Sequence, residues 1–110
     1  MAVWDPKREE GVLAVSMLPA PAAGKDYQLW MIDPQYPSPV SGGVFEVDRA
    51  TGEARVAFRA ARPVKSIAKF AVSLERKGDV PEREGPIVLL GREGRALLAT
   101  FPASRGSQGR

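Results

Sequence analysis

No stretch of this chain holds a helical period over the length a helix needs. Apolar residues come in short runs closed by Pro, Gly or Asp, and ten prolines and eleven glycines in 110 residues would interrupt most helices. Runs punctuated this way read as strands and turns. Strands are expected near Val12 to Leu18, with Leu13, Val15 and Met17 on one face, and from Tyr27 to Asp33. A third, Gly43 to Asp48, and a fourth, Ala54 to Phe58, flank Thr51-Gly52 as a hairpin, with Val56 and Phe58 facing in and Arg55 and Arg59 facing out. The clearest alternation is Lys69 to Glu75, which reads as a half-buried strand whose wetter side carries Lys69, Ser73 and Glu75. Pro86 to Leu90 is apolar throughout, as a strand covered on both faces would be, and Arg95 to Phe101 adds a further candidate.

The fold class that follows is all-β, an antiparallel immunoglobulin-like sandwich of six to eight strands, with a small β-barrel as the alternative. Either needs the same inward set: Leu13, Val15, Met17, Trp30 or its neighbour Leu29, Phe45, Val47, Val56, Phe58, Phe70, Val72, Leu74 and Val88. A single domain over residues 1–102 is expected, followed by a polar tail over 103–110 of disordered character. Asp33 to Gly43, with Pro34, Pro37 and Pro39 around Tyr36, reads as a rigid loop.

Residue types narrow the chemistry. The chain contains no cysteine and no histidine, so it lacks thiolates, disulfides, the commonest metal ligand and the usual partner of a Ser nucleophile. No metal site and no cofactor is expected. The formal charge is +3, but sixteen Lys and Arg are interspersed with thirteen Asp and Glu, as in Lys7-Arg8-Glu9-Glu10 and Glu75-Arg76-Lys77. Mixed signs describe a solvated surface rather than a phosphate-tracking stripe, so nucleic acid is not an expected partner. No apolar run approaches the roughly 20 residues of a membrane-spanning helix, and the first residues lack the basic-then-apolar order of a signal peptide.

Carboxylates are the remaining candidates for acid or base work, and Asp33, Asp48 and Glu75 lie at strand ends. At such ends Asp and Glu ordinarily bond turn amides, which leaves a carboxylate hydrolase as the weaker reading. Ser16, Ser66 and Ser73 have no His to activate them; Ser66-Ile67-Ala68-Lys69 matches the serine–lysine spacing but lacks its companion motifs and a helix. Gly42-Gly43 and Gly91-Arg92-Glu93-Gly94 read as turns, not phosphate loops. Among the aromatics Tyr27, Trp30 and Tyr36, mid-strand Trp30 suits a core, and Tyr36 is the candidate for an exposed ligand contact.

Several segments, taken in order, resemble the C-terminal domain of the anti-sigma-K factor family, often called RskA-type. They are Gly11 to Pro19, with Leu18-Pro19 at its end; Tyr27-Gln28-Leu29-Trp30 running on to Asp33; Gly43-Val44-Phe45; Phe70-Ala71-Val72-Ser73-Leu74-Glu75; and Gly85-Pro86 running on to Gly91. With Trp4 they cover most of Trp4 to Gly91, and in these positions the resemblance implies a structural role. Family members commonly carry Gly-Gly after the Leu-Glu strand, where this chain has Gly78-Asp79, a pair unsuited to a turn needing two residues at positive φ.

The resemblance implies a protein of three parts: a cytoplasmic segment that masks a sigma factor, one transmembrane helix, and this domain on the periplasmic or extracytoplasmic side of the bacterial inner membrane. It implies a non-enzymatic regulatory role, with the sigma factor and membrane engaged through segments other than this one. An envelope protein or a protease is a possible partner, and a homodimer could form by edge-strand pairing. The N-terminal strand near Val3 and Trp4 would lie closest to the membrane. The alternative is a generic extracytoplasmic peptide- or protein-binding sandwich.

Overall fold

The computed structural model describes residues 1–100. In chain order its strands are β1 Ala2–Asp5, β2 Glu10–Val15, β3 Lys25–Ile32, β4 Val40–Phe45, β5 Ala54–Arg59, β6 Lys69–Arg76, β7 Ile87–Gly91 and β8 Leu98–Ala99. Every pairing is antiparallel. One sheet runs β1-β2-β5, the other β4-β3-β6-β7-β8, and neither closes into a barrel. The sandwich expected from the run lengths is the fold.

The centre of the larger sheet is the β3–β6 pair, in register from Lys25 opposite Arg76 to Ile32 opposite Lys69. Alternation turns Tyr27, Leu29 and Met31 of β3 and Phe70 and Val72 of β6 to the same face, and all five are buried. Ala2, Trp4, Leu13, Ala54 and Phe58 oppose them from the smaller sheet. Each large side chain so buried contributes about 1.5–3 kcal/mol before chain entropy is subtracted. Trp4 stacks on Phe58 with centroids 5.9 Å apart, and Phe58 meets Phe70 edge-on at 6.1 Å, so three rings join β1, β5 and β6. Gly11 lies between Trp4 and Phe58 in the register, and a Cβ there would stand 2.5 Å from Phe58 Cζ. The ring occupies the space a side chain would need.

The Leu18-Pro19 pair is fixed from two sides. Leu18 is buried and its N–H donates to the Gly52 carbonyl at 3.0 Å, while the Tyr27 hydroxyl donates to the Pro19 carbonyl at 2.7 Å. Burial pushes the Tyr27 phenol pKa up, and its ring stacks on Phe45 at 6.0 Å.

Four expectations are corrected. Met17 is 90% exposed rather than inward, because β2 ends at Val15 and Met17 takes a φ of 59°, a reversal that delivers Leu18 to the core in its place. The third and fourth strands are not a hairpin. The chain does turn at Asp48 to Gly52, but β4 pairs with β3 and β5 with β2, since Phe45 finds Tyr27 in one layer and Phe58 finds Trp4 in the other. Gly42-Gly43 is no turn but lies within β4, which begins at Val40 and whose pairing with β3 slips between Leu29 and Trp30.

The strand from Lys69 is buried on both faces, with Ser73 and Glu75 only 0% and 1% exposed. The segment between β6 and β7 folds back over the outer face of the larger sheet, where Val80 packs with Trp30 and Ala71 in a second apolar cluster. Leu29 and Trp30 are therefore both core, on opposite faces of one sheet. Val15, Val47, Val56, Leu74 and Val88 are partly buried against the main cluster. Leu98–Ala99 is the strand within Arg95 to Phe101; Phe101 and the tail over 103–110 lie outside the described residues.

Candidate binding groove and the network beneath it

A polar residue between Tyr27 and Leu29 on a buried strand needs partners, and Gln28, fully buried, has four. Its Nε2 donates to Ser41 Oγ at 2.8 Å, to Asp79 Oδ1 at 2.9 Å and to the Val80 carbonyl at 2.9 Å; its Oε1 accepts from the Val80 N–H at 3.1 Å. One amide thus ties β4 to the segment after β6. Above it opens a groove of about 740 Å³, walled on one side by Pro37, Ser38, Pro39, Val40 and Ser41 with Ala61 and Arg62, and on the other by Asp79, Val80, Pro81 and Glu82.

Tyr36 stands behind the first wall. It is half-buried rather than fully exposed, its hydroxyl donates to the Pro63 carbonyl at 2.6 Å, and the Arg62 guanidinium lies 5.0 Å from its ring centroid. The ring therefore positions Arg62 at the groove, and among the described residues Arg62 is in no ion pair. Asp79 adds a carboxylate; of Gly78 and Asp79 only Gly78 takes positive φ, at 99°, so the turn does not need a pair of glycines.

A second chain of polar contacts anchors the far end of the same segment. Trp30 Nε1–H donates to Ser73 Oγ at 2.8 Å, and the Ser73 hydroxyl donates to Glu75 Oε2. Glu75 Oε1 accepts from the N–H groups of Gly85 at 2.9 Å and Glu84 at 3.2 Å. Gly85 packs so tightly on β6 that a Cβ there would overlap the Leu74 carbonyl oxygen at 1.8 Å. The run Ser73-Leu74-Glu75 and the pair Gly85-Pro86 are thereby parts of one device, which pins the returning segment at its end while Gln28 pins its start.

The candidate carboxylates are spent separately. Asp33 is 3% exposed; desolvation raises its pKa, but hydrogen bonds from the Gln35 N–H and side chain and from the backbone of Lys65 and Ser66 outweigh that and bring it down to about 2. Asp48 accepts from the N–H groups of Ala50 and Thr51, and Glu75 serves the network above. Ser66 and Lys69 stand on no helix, as Lys69 opens β6. Trp4, Leu18, Tyr27, Leu29, Phe45, Phe70 and Val72 are core, Leu74 packs at its margin, Pro19 accepts from Tyr27, and the Pro86 carbonyl accepts from the Leu74 N–H at 3.0 Å.

Arg62, Ser41, Asp79 and Val80 were not legible as groove residues. Gln28 was the available signal, an amide on a strand with no room for an unpaired one. The groove can take a short extended segment, with proline rings as apolar walls, Arg62 for an anion and Asp79 and Glu82 for a cation.

Comparison with curated proteins and with solved structures returns no match. The family model described as "Anti-sigma-K factor rskA, C-terminal" matches residues 1–87, which takes in β1 to β6 and both anchors of the segment that follows. Matched over more than half its length, the chain belongs to the anti-sigma-K factor family as its C-terminal domain.

Proposed function

We propose that this chain is the extracytoplasmic regulatory domain of a membrane-anchored anti-sigma factor, a non-enzymatic module that governs release of the sigma factor. The observation that carries the reading is the family match from residue 1 to residue 87, which makes a sigma factor the family's partner. In this reading a helix upstream of β1 crosses the membrane and a segment beyond it holds the sigma factor. The domain sets whether the juxtamembrane chain entering at β1 is open to proteolysis. Support comes from the placement of β1: Ala2 and Trp4 are buried in the main core, so the entry strand is held by the fold of the whole domain. The test compares protease sensitivity of the upstream segment in full-length protein with and without this domain. Removal is expected to raise cleavage, and equal sensitivity would refute the reading.

A second reading, an extracytoplasmic peptide-binding sandwich, is favoured by the groove beside Arg62. Shifts of the Ser38, Ala61 and Glu82 amides on titration with extended peptides from envelope proteins would support it; their constancy would remove it.

A further inference from the structure

β1 is an edge strand, and its outer edge is closed by a turn rather than by a neighbouring strand. Met1 and Ala14 exchange backbone hydrogen bonds, so alternation directs Val3 toward β2 and leaves the N–H and C=O groups of Ala2 and Trp4 facing outward. Two of those groups are satisfied from the turn between β7 and β8. Trp4 N–H donates to Glu93 Oε2 at 2.8 Å, and the Ala2 carbonyl accepts from the Gly94 N–H at 2.9 Å. A carboxylate and a glycine amide thus stand in for a neighbouring strand. Gly94 presents its amide at φ 75°, a conformation a side chain would strain.

We infer that this turn is a releasable latch on the N-terminal strand, and that its lifting opens the β1 edge to strand addition by an extended polypeptide, the mode in which peptide-cleaving clefts read a chain. On β1 itself the turn holds through those two hydrogen bonds, and Arg92 to Arg95 are exposed. Among the described residues the arm that follows is tied to β7 by the pairs Leu89–Ala99 and Leu90–Leu98 and by Thr100, whose N–H donates to the Val88 carbonyl at 3.1 Å and whose hydroxyl donates to the Ile87 carbonyl, while half-buried Leu97 packs against the core. By contrast, the segment between β6 and β7 is fastened at both ends by hydrogen bonds to buried side chains, Gln28 at its start and Glu75 at its end. The strand the latch holds also carries a built-in defect: among the described residues, the indole Nε1 of Trp4 is the buried side-chain polar atom with no partner. The latch lies beyond residues 1–87, the part that the family model matches. The inference extends the regulatory reading above, supplying the element whose state would set access to the entry strand.

The experiment is amide exchange on the 110-residue chain, wild type against Glu93→Ala, Glu93→Gln and Gly94→Pro. Glu93→Ala deletes the acceptor, and Gly94→Pro removes the donor and also breaks the turn, because proline cannot hold a φ of 75°; Glu93→Gln keeps an oxygen for Trp4 N–H. Exchange at Trp4 is expected to quicken about five- to tenfold in Glu93→Ala, the equivalent of one hydrogen bond, by at least as much in Gly94→Pro, and to stay near wild type in Glu93→Gln. Leu29 and Val72, in the centre of the larger sheet, keep their protection. Unchanged exchange at Trp4 in both deleting variants overturns the latch, as does acceleration shared with Leu29 and Val72. The regulatory reading is judged apart: if Trp4 quickens but cleavage upstream of β1 in the full-length protein does not, the latch stands and the reading falls.

Discussion

The two tryptophans are both buried, yet they sit in regions built on opposite principles. Trp30, on the outer face of the larger sheet, donates its indole N–H to Ser73 and through it reaches Glu75 and the amides of Glu84 and Gly85. Trp4, on the edge strand of the smaller sheet, gains its ring contact with Phe58 but leaves its indole N–H orphaned. An unpaired buried donor costs about 1–3 kcal/mol, so the same residue type strengthens one region and taxes the other. The difference teaches where the domain is built to hold and where it can yield: the middle of the larger sheet is satisfied through polar contacts, and the entry strand rests on apolar contact and a turn.

The contrast breaks most visibly at Glu75. Glu75→Ala, at a side chain 1% exposed, takes the acceptor from the Gly85 and Glu84 amides and from the buried Ser73 hydroxyl together, with a destabilisation of about 2–4 kcal/mol expected in urea unfolding. Glu75→Gln, which keeps one acceptor oxygen, should lose about half of that. The loss should come with exposure of Val80 and Trp30, read as a red shift of Trp30 emission in a Trp4→Phe background, because the returning segment covers that cluster. A cost below that of an ordinary surface substitution would mean that the network does not hold the segment.

A paired substitution sharpens the same contrast. Trp30→Phe and Trp4→Phe remove the same atoms, so the volume terms largely cancel and the difference reports the hydrogen bond. Trp30→Phe is expected to cost about 1–3 kcal/mol more than Trp4→Phe, which relieves an orphan and should stay within about 1 kcal/mol of wild type. Equal costs, measured as urea midpoints with a common slope, would erase the distinction between the regions.

Where the sequence was legible, one face of a strand carried the information. The run Phe70, Val72, Leu74 and the run Val56, Phe58 have period two, and each strand forms with its large residues inward. What failed depended on what lies above a strand rather than within it. Ser73 and Glu75 read as wet because nothing local announces that residues 77–86 will return over them, and the buried polar side is satisfied by backbone amides about ten positions away. Met17 read as core because alternation carries no sign of the positive φ that ends it. The supposed hairpin failed because a turn fixes the direction of the chain and not the layer of the next strand; that was decided by Tyr27 and Trp4, distant in sequence from the rings they stack on. Tyr36 was singled out as a contact and Gln28 as a structural position, and neither lines the groove itself; Arg62 and Asp79, which do, become neighbours only through the fold.

The smallest effect expected is at Asp33, a second buried carboxylate whose donors come from Gln35 beside it and from the loop between β5 and β6. Its folded pKa of about 2 lies below the roughly 3.9 of an unfolded Asp, so its contribution is present above pH 4 and is lost as the pH falls through 2. Asp33→Asn keeps one acceptor oxygen and removes the charge, and should cost about 1 kcal/mol at pH 7 while losing the part of the acid dependence that Asp33 supplies. Stability measured from pH 7 to pH 2 in both proteins therefore should converge at the acid end. Curves that stay parallel throughout would place the titration elsewhere and leave the Asp33 turn held by the shape of Pro34 and its neighbours rather than by charge.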